Sequence, residues 1–456
     1  MSLDMRRGNP TKLMLKFAFP MLIGNVFQQL YNMVDSIVVG RFIGKEALAA
    51  VGSSFSLMNF ITLLIIGLCI GSSIVISQYF GAEDYKNLKG SVSTSIIFIL
   101  GLTIFLTIIT VVFTKPLLIL IKTPPEILNS ATSYLSIIFA GLIFTSLYNI
   151  SASLLRAVGD SVTPLYFLII ASVINVVLDL VFIINFNMGV DGAAYATVIA
   201  QAVSSILCLI YAFSKVPIFT MKIGEFVFDK SLFSTIARFS ILSSMQQSIM
   251  AIGMVAVQGR VNIFGSDVIA AYTAAVKVDS LAYLPVQDFG NAFSTYVAQN
   301  IGGGKLDRIK KGVVSSVKII IAFCTIASII IFSFSEYFMR MFVDSSEINV
   351  IQTGVDYISV VGIFYVLIGF LFMFYGFFRG VGSLNMSIIL TVISLGTRVL
   401  MAYSLSAIPF IGEKGIWWSI PIGWILADIV GFIVYKKGKW QLIIKNNKIS
   451  INGNTK

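Results

Sequence analysis

Gln28-Gln29-Leu30-Tyr31-Asn32-Met33-Val34-Asp35 places a carboxylate inside an apolar run long enough to cross a membrane. A charged side chain at hydrocarbon depth is expensive and usually faces a bundle interior or an aqueous cavity, where it serves ion or substrate passage. On a helix, Gln28, Tyr31, Asn32 and Asp35 fall at i, i+3, i+4 and i+7 and line one face. Asp35 could instead pair with a neighbour or sit at the interface. The functional reading takes precedence, because intramembrane acids are functional by default.

The whole chain supports a membrane setting. With 57% hydrophobic and 12% charged residues and a mean hydropathy of +0.92, it is too apolar for an ordinary soluble domain. Cys69, Cys208 and Cys324 lie in apolar segments without metal or redox spacing and read as small hydrophobes. The stretch from Met1 to Lys12 is polar and lacks the short apolar core and cleavage site of a signal peptide, so no processing is expected.

A spanning helix needs about 20 apolar residues. Twelve segments qualify, near 13–40, 51–79, 91–114, 130–155, 164–186, 192–214, 232–259, 268–300, 312–334, 351–378, 385–408 and 415–435. Gly, Pro and charge punctuate the breaks, as in Gly81-Ala82-Glu83-Asp84 and Lys122-Thr123-Pro124-Pro125-Glu126.

The net charge of +11 is distributed by loop. Arg6, Arg7, Lys12, Lys86, Lys89, Arg156, Lys215, Lys222, Lys230, Lys305, Arg308, Lys310, Lys311 and Arg379 lie on the side of the N-terminus, with the basic tail from Lys436. The opposite loops hold only Arg41, Lys45, Lys115, Lys122, Arg260, Arg340 and Lys414. By the positive-inside rule both termini are cytoplasmic, in a multi-pass protein expected in the plasma membrane. The basic balance is therefore topological, and nucleic-acid binding is excluded as its explanation.

An internal repeat covers nearly the whole chain. Gln28-Gln29 matches Gln246-Gln247, Ala49-Ala50 matches Ala270-Ala271, Arg156 and Gly159 match Arg379 and Gly382, and Gly189 and Gly192 match Gly412 and Gly415. Six helices per half make the repeats parallel, related by an axis along the membrane normal. The expected organisation is an N-terminal lobe over 1–214, a cytoplasmic linker over 215–230, a C-terminal lobe over 231–440 and a basic tail over 441–456. Duplicated bundles of this kind commonly work by alternating access.

Besides Asp35, the first half carries Asn175 and Asp179 four apart on the fifth span and Thr197 on the sixth. At about 1.5 Å rise per residue, Asp35, Asp179 and Thr197 all lie about 7–9 Å below the outer helix ends. Two carboxylates, an amide and a hydroxyl at one level can form an oxygen-lined pocket for a dehydrated Na⁺. The pocket suits H⁺ equally, since two nearby carboxylates resist double ionisation. The plainer alternative is that Asn175 and Asp179 only serve their own helix. In the second half Gly253 stands where Asp35 maps and Arg398 where Asn175 maps. Gln246, Lys277, Asp279, Asp288 and Arg398 read there as structural or gating groups rather than ion-coupling ones, because no second acid shares their face at helical spacing.

The duplicated halves, Pro20, the run from Gln28 to Asp35, Val39-Gly40-Arg41, Ala47-Leu48-Ala49-Ala50-Val51-Gly52, Gln78-Tyr79-Phe80-Gly81-Ala82 and Leu155-Arg156-Ala157-Val158-Gly159-Asp160 resemble the multidrug and toxic compound extrusion (MATE) family of antiporters. The resemblance spans essentially the full chain and is nearest the DNA-damage-inducible (DinF-like) branch. It implies an all-α polytopic membrane protein with twelve transmembrane helices in two parallel six-helix repeats, forming a V-shaped two-lobe bundle. It also implies a cation site at Asp35, Asn175, Asp179 and Thr197, which match that branch's Asp, Asn, Asp and Thr. Acids used by another branch on the seventh and tenth helices are missing, since the seventh has Gln246-Gln247. The implied substrate cavity draws on Gln28, Tyr31, Asn32, Tyr134, Tyr148 and Asn149, and the aromatic faces of its tyrosines attract cations. Each of these aromatics could equally pack against lipid or core.

The reading is thus a monomeric, cation-driven antiporter that exports organic cations or amphiphilic drugs in exchange for H⁺ or Na⁺, with no cofactor and no metal beyond that Na⁺. A flippase for an amphiphilic lipid or glycan precursor is the alternative, disfavoured because interior cations are few, chiefly Lys277 and Arg398. An integral membrane enzyme lacks support. The chain contains no His and no interfacial carboxylate cluster of metal-ligand type. It also has no Walker-type loop, which points to an ion gradient as the energy source.

Overall fold

A computed structural model describes residues 3–221, 223–438 and 440–441. The expected basic tail over 441–456 lies outside them apart from Gln441, as does Lys222 of the linker. Among the described residues all regular structure is helical.

The first half comprises α1 (Pro10–Phe42), α2 (Lys45–Ala82), α3 (Tyr85–Leu120), α4 (Pro125–Ala140), α5 (Leu142–Ala157), α6 (Val162–Leu180) and α7 (Gly189–Lys215). The second comprises α8 (Lys230–Val261), α9 (Ser266–Gly302), α10 (Leu306–Ser333), α11 (Ser335–Arg340), α12 (Ile348–Gly362), α13 (Tyr365–Val381), α14 (Leu384–Leu405) and α15 (Lys414–Lys436). Eight helices are long and apolar enough to cross a bilayer, and ten spans result when each of two bent pairs counts as one. The remaining two of the twelve are α1 and α9, with 33 and 37 residues. They exceed the length needed to cross, and interior polar groups such as Asp35 and Asp279 make them less apolar. Large side chains such as Phe105, Ile108 and Val112 on α3 are exposed, which suits helices whose solvent is lipid.

The fourth and tenth spans are not the continuous helices that 130–155 and 351–378 describe. α4 and α5 meet at 44°, and α12 and α13 at 54°. At the first break, a Cβ on Gly141 would lie 2.5 Å from Val198 Cγ2, so the glycine admits the α7 side chain into the bend. The fifth span also departs from regularity: α6 runs directly into a π-helical turn, Val181–Asn185.

The repeat is visible in the backbone. Left-handed or otherwise positive φ values recur at Gly44 and Gly265, Glu83 and Gly304, Gly159 and Gly382, and Gly189 and Gly412. Both halves therefore turn at corresponding places, and both carry the bent span.

The chain divides into two compact units, one of residues 3–4 and 19–244, the other of 5–18 and 245–441 within the described residues. The boundary between these units falls inside α1 and α8. Local contacts show why. In the first unit, Gly67 and Gly71 of α2 press directly on the α8 backbone at Ser244 and at Phe239–Ser240, leaving no room for a Cβ. The linker also belongs there: Lys89 Nζ donates to Thr220 O at 2.7 Å, Ser93 Oγ to Val227 O at 2.9 Å, and Asp229 N to Thr94 Oγ1 at 2.9 Å. In the second unit, Met5 N donates to Gln299 Oε1 at 3.0 Å, and Arg308 donates to Met5 O and Gly8 O. Met14 is fully buried beside Ser316.

Candidate functional site

Three helices of the first unit bring the predicted cation-site residues together. Asp35 comes from the far part of α1, Asn175 and Asp179 from the end of α6, and Thr197 from the third turn of α7. Asn175 and Asp179 are buried, while Asp35 and Thr197 are half-buried. Asn175 Nδ2 donates to Thr197 Oγ1 at 3.3 Å, so Asn175 does not serve its own helix alone. The carboxyl groups of Asp35 and Asp179 are within hydrogen-bonding reach of each other. Both bear only acceptors when ionised, so a bond between them needs a proton. Among the described residues, Asp35 Oδ1, Asn175 Oδ1 and both Asp179 oxygens are buried without a hydrogen-bond partner. Buried oxygens are ordinarily satisfied, and this group of orphans is what a dehydrated cation or a proton completes.

An apolar cluster adjoins the acids. Val38, Val39, Ala47, Ile138, Ile183, Ala193 and Ala194 form an apolar cluster with Tyr134, which buries the flanks of α1, α6 and α7 beside the polar groups. Asp179 stands one residue before the end of α6 and two before the π-helical turn. Such turns widen the helix locally and are frequent at functional sites.

The proposed cavity residues separate into two groups. Tyr31 and Tyr134 lie within electrostatic reach of both Asp35 and Asp179, and Tyr31 hydrogen-bonds Gln28. Gln28 is exposed and Asn32 half-buried. Tyr148 and Asn149 are engaged elsewhere: Tyr148 Oη donates to Pro164 O at 3.0 Å, and Asn149 Nδ2 to Thr145 O, one turn back, at 2.8 Å. Gln201 is a polar neighbour that the sequence reading does not single out. It accepts from Thr145 Oγ1 and follows Thr197 by one turn of α7, so its i, i+4 spacing from Thr197 is the signal that could have found it.

In the second unit Asp279 and Arg398 lie within electrostatic reach of each other, beside Tyr272, Tyr357 and Trp417. Gln246 Nε2 donates to Thr391 Oγ1 at 3.1 Å. Lys277 is exposed, with its ammonium 5.6 Å from the Phe342 ring. Asp279 accepts from Tyr357 Oη at 3.2 Å, and Arg398 donates to Tyr272 Oη at 3.3 Å. Tyr272 in turn stacks on Trp417 at 5.7 Å. Asp288 is buried on α9.

Comparison with known proteins agrees with this architecture. The MatE family pattern matches residues 20–181 and 240–404. The chain is similar to the Probable multidrug resistance protein YpnP of Bacillus subtilis (strain 168), 29% identical and covering 96% of this chain and 97% of that protein. It is similar to the Probable multidrug resistance protein YoeA of the same organism, also 29% identical over 95% of this chain and 94% of that one. A solved structure of a multidrug resistance MATE family transporter of the MOP superfamily in an outward-facing conformation matches with a TM-score of 0.89 at 27% identity. That match covers 96% of this chain and 98% of the other. The helical repeats, the polar groups held inside apolar spans and these full-length likenesses lead to one assignment: the chain belongs to the MatE family and is a multi-pass membrane transporter rather than an enzyme.

Proposed function

We propose that the chain is a secondary active multidrug efflux antiporter that exports organic cations or amphiphilic drugs in exchange for H⁺ or Na⁺. The names of its relatives support multidrug export. The observation that carries the coupling is the meeting of Asp35 with Asp179 beside the Asn175–Thr197 bond, among oxygens lacking protein partners.

In this reading Asp35, Asn175, Asp179 and Thr197 bind the ion, and Gln28, Tyr31, Asn32 and Tyr134 contribute to the adjoining substrate surface. A cation entering from outside neutralises the acids. That shifts the preferred conformation of α1, with Pro20 as the place where a helix bends at least cost. Exchange requires that ion and substrate favour different conformations, because a ligand that binds both equally shifts nothing. The protein acts as a monomer in the plasma membrane, with its N-terminus and the linker in the cytoplasm.

Transport in sealed vesicles with independently imposed Na⁺ and pH gradients tests the coupling. Drug accumulation against its gradient, driven by either ion, is the expected result. Equilibration of the drug that neither gradient changes refutes antiport.

A further inference from the structure

The second unit holds one more acid within a span, Asp428 on α15. It is 9% exposed, and among the described residues neither carboxylate oxygen has a hydrogen-bond partner. An unpaired acid at this depth is costly unless it carries a proton or meets a ligand.

Its neighbours follow from how α14 and α15 pack. A Cβ on Gly423 would collide with Ser394 O and lie 3.5 Å from Arg398 Cβ. Gly415 lies equally close to Leu405 and Ser406, so the two helices run antiparallel. Asp428 lies five residues beyond Gly423, at about the depth of Thr391 but turned about 140° from the face that meets α14, towards the side where Gly431 meets Phe374 of α13. Thr391 Oγ1 accepts from Gln246 Nε2 at 3.1 Å and donates to Ser387 O at 2.9 Å. Tyr375 on α13 hydrogen-bonds Thr391 and lies within electrostatic reach of Asp428. Ser387, Thr391 and Ser394 fall at i, i+4 and i+7 on α14, and all three are buried. They form a row of hydroxyls along one face.

We propose that Asp428, with Tyr375 within its electrostatic reach, is a second proton-binding site that exchanges H⁺ with water. The other ionisable groups on helices packed against α15 are committed elsewhere. Arg379 on α13 donates to Tyr375 O and Asn291 Oδ1. Arg398 on α14 donates to Tyr272 Oη, and Tyr403 on the same helix to Ala256 O. On α12, Tyr357 donates to Asp279 and Asp356 pairs with Lys414 at 3.1 Å. Tyr365 on α13 lies beside Asp279. Asp428 therefore has no counter-ion among the described residues, and H⁺ is the ligand that a lone buried carboxyl beside a neutral phenol can hold without one.

The test is infrared difference spectroscopy of the purified full-length protein across roughly pH 5 to 9, a range that spans the documented values of buried carboxyls. The protein carries Asp35→Asn and Asp179→Asn, so the result is independent of the coupling site proposed above. A protonated-carboxyl band should appear with falling pH and vanish when Asp428→Asn is added. Tyr375→Phe should move its midpoint by about one pH unit, the size expected for losing one hydrogen bond near a carboxylate. Asp428→Glu, which keeps a carboxyl should Asp428→Asn fail to fold, should displace the band. A band that is unaltered by both Asp428 substitutions, or one that Asp428 contributes equally at every pH, overturns the proposal.

Discussion

The Asn175 amide on α6 donates to Thr197 Oγ1 on α7 at 3.3 Å, and among the described residues the Asn175 carbonyl oxygen is left without a partner. The bond orients that oxygen beside two acids, where it serves the proposed site as a neutral ligand. Asn175→Ala removes the ligand, and Thr197→Val removes what aims it. Either change should raise the ion concentration for half-maximal transport about tenfold, the equivalent of one hydrogen bond to a charged group. Flux measured against Na⁺ and H⁺ concentration checks this, and unchanged ion dependence in both variants contradicts it.

Asp35→Asn and Asp179→Asn keep size and polarity while removing the charge. Each should abolish gradient-driven efflux at normal membrane abundance. Extrusion by both variants against a drug gradient, with the dependence on pH and Na⁺ intact, would end the coupling assignment.

Gly71→Ala should lower stability by about 1–3 kcal/mol, the usual cost of overpacking, because its Cβ would enter the α8 backbone at Phe239 and Ser240. Thermal unfolding in detergent reads this as a lower Tm. Gly101→Ala, where a Cβ meets nothing within 4 Å, serves as the control and should leave Tm unchanged or higher.

Asp229, outside the spans, caps the start of α8. Its carboxylate accepts from Ser231 Oγ at 2.6 Å and Ser231 N at 2.8 Å. The Ser231 hydroxyl foremost, with the Ser231 and Leu232 amides and nearby Lys86, holds it below the usual carboxylate range. A depressed folded-state value means that the stabilisation is complete at neutral pH and fades as pH falls below about 3.9 toward the folded value. Asp229→Ala should therefore cost about 1 kcal/mol at pH 7, as caps do. The gap from the unsubstituted protein should close in acid. A gap that is constant with pH would assign the effect to something other than the charge.

Lys277→Gln and Arg398→Gln should change expression or drug preference more than ion dependence. Lys277 faces outward over Phe342, and Arg398 braces Tyr272 against the Trp417 stack. Loss of ion coupling with drug binding preserved in either variant would move the coupling site to the second unit.

Apolar periodicity revealed the spans because lipid leaves a helix few other choices, and α2 and α3 extend the runs by only a few residues at each end. The bends at Gly141 and near Phe364 were hidden. They depend on what packs into the break, Val198 in the first case, and not on the local residues alone. The meeting of Asp35, Asn175, Asp179 and Thr197 was legible from helical spacing and depth, since all four lie near helix ends where counting from the end is accurate. The bonds of Tyr148 to Pro164 O and of Asn149 to Thr145 O were not legible, because composition does not show hydrogen bonds. Asp428 escaped notice for a related reason: no acid or base stands one turn away on its own helix to draw attention to it.

Residues 5–18 pack against side chains that lie near residues 299–316, as the contacts of Met5 with Gln299 and of Met14 with Ser316 illustrate. A ribosome makes the chain from its N-terminus, so the earliest segment to emerge waits for some three hundred later residues before it can dock. The start of α1 must be held in a provisional place during synthesis, while the part of the same helix that carries Asp35 can already pack with α6 and α7. A stalled or truncated chain lacking α9 and α10 would leave Met5 and Met14 uncovered, and quality-control proteases would meet that exposed N-terminal segment before any defect at the ion site.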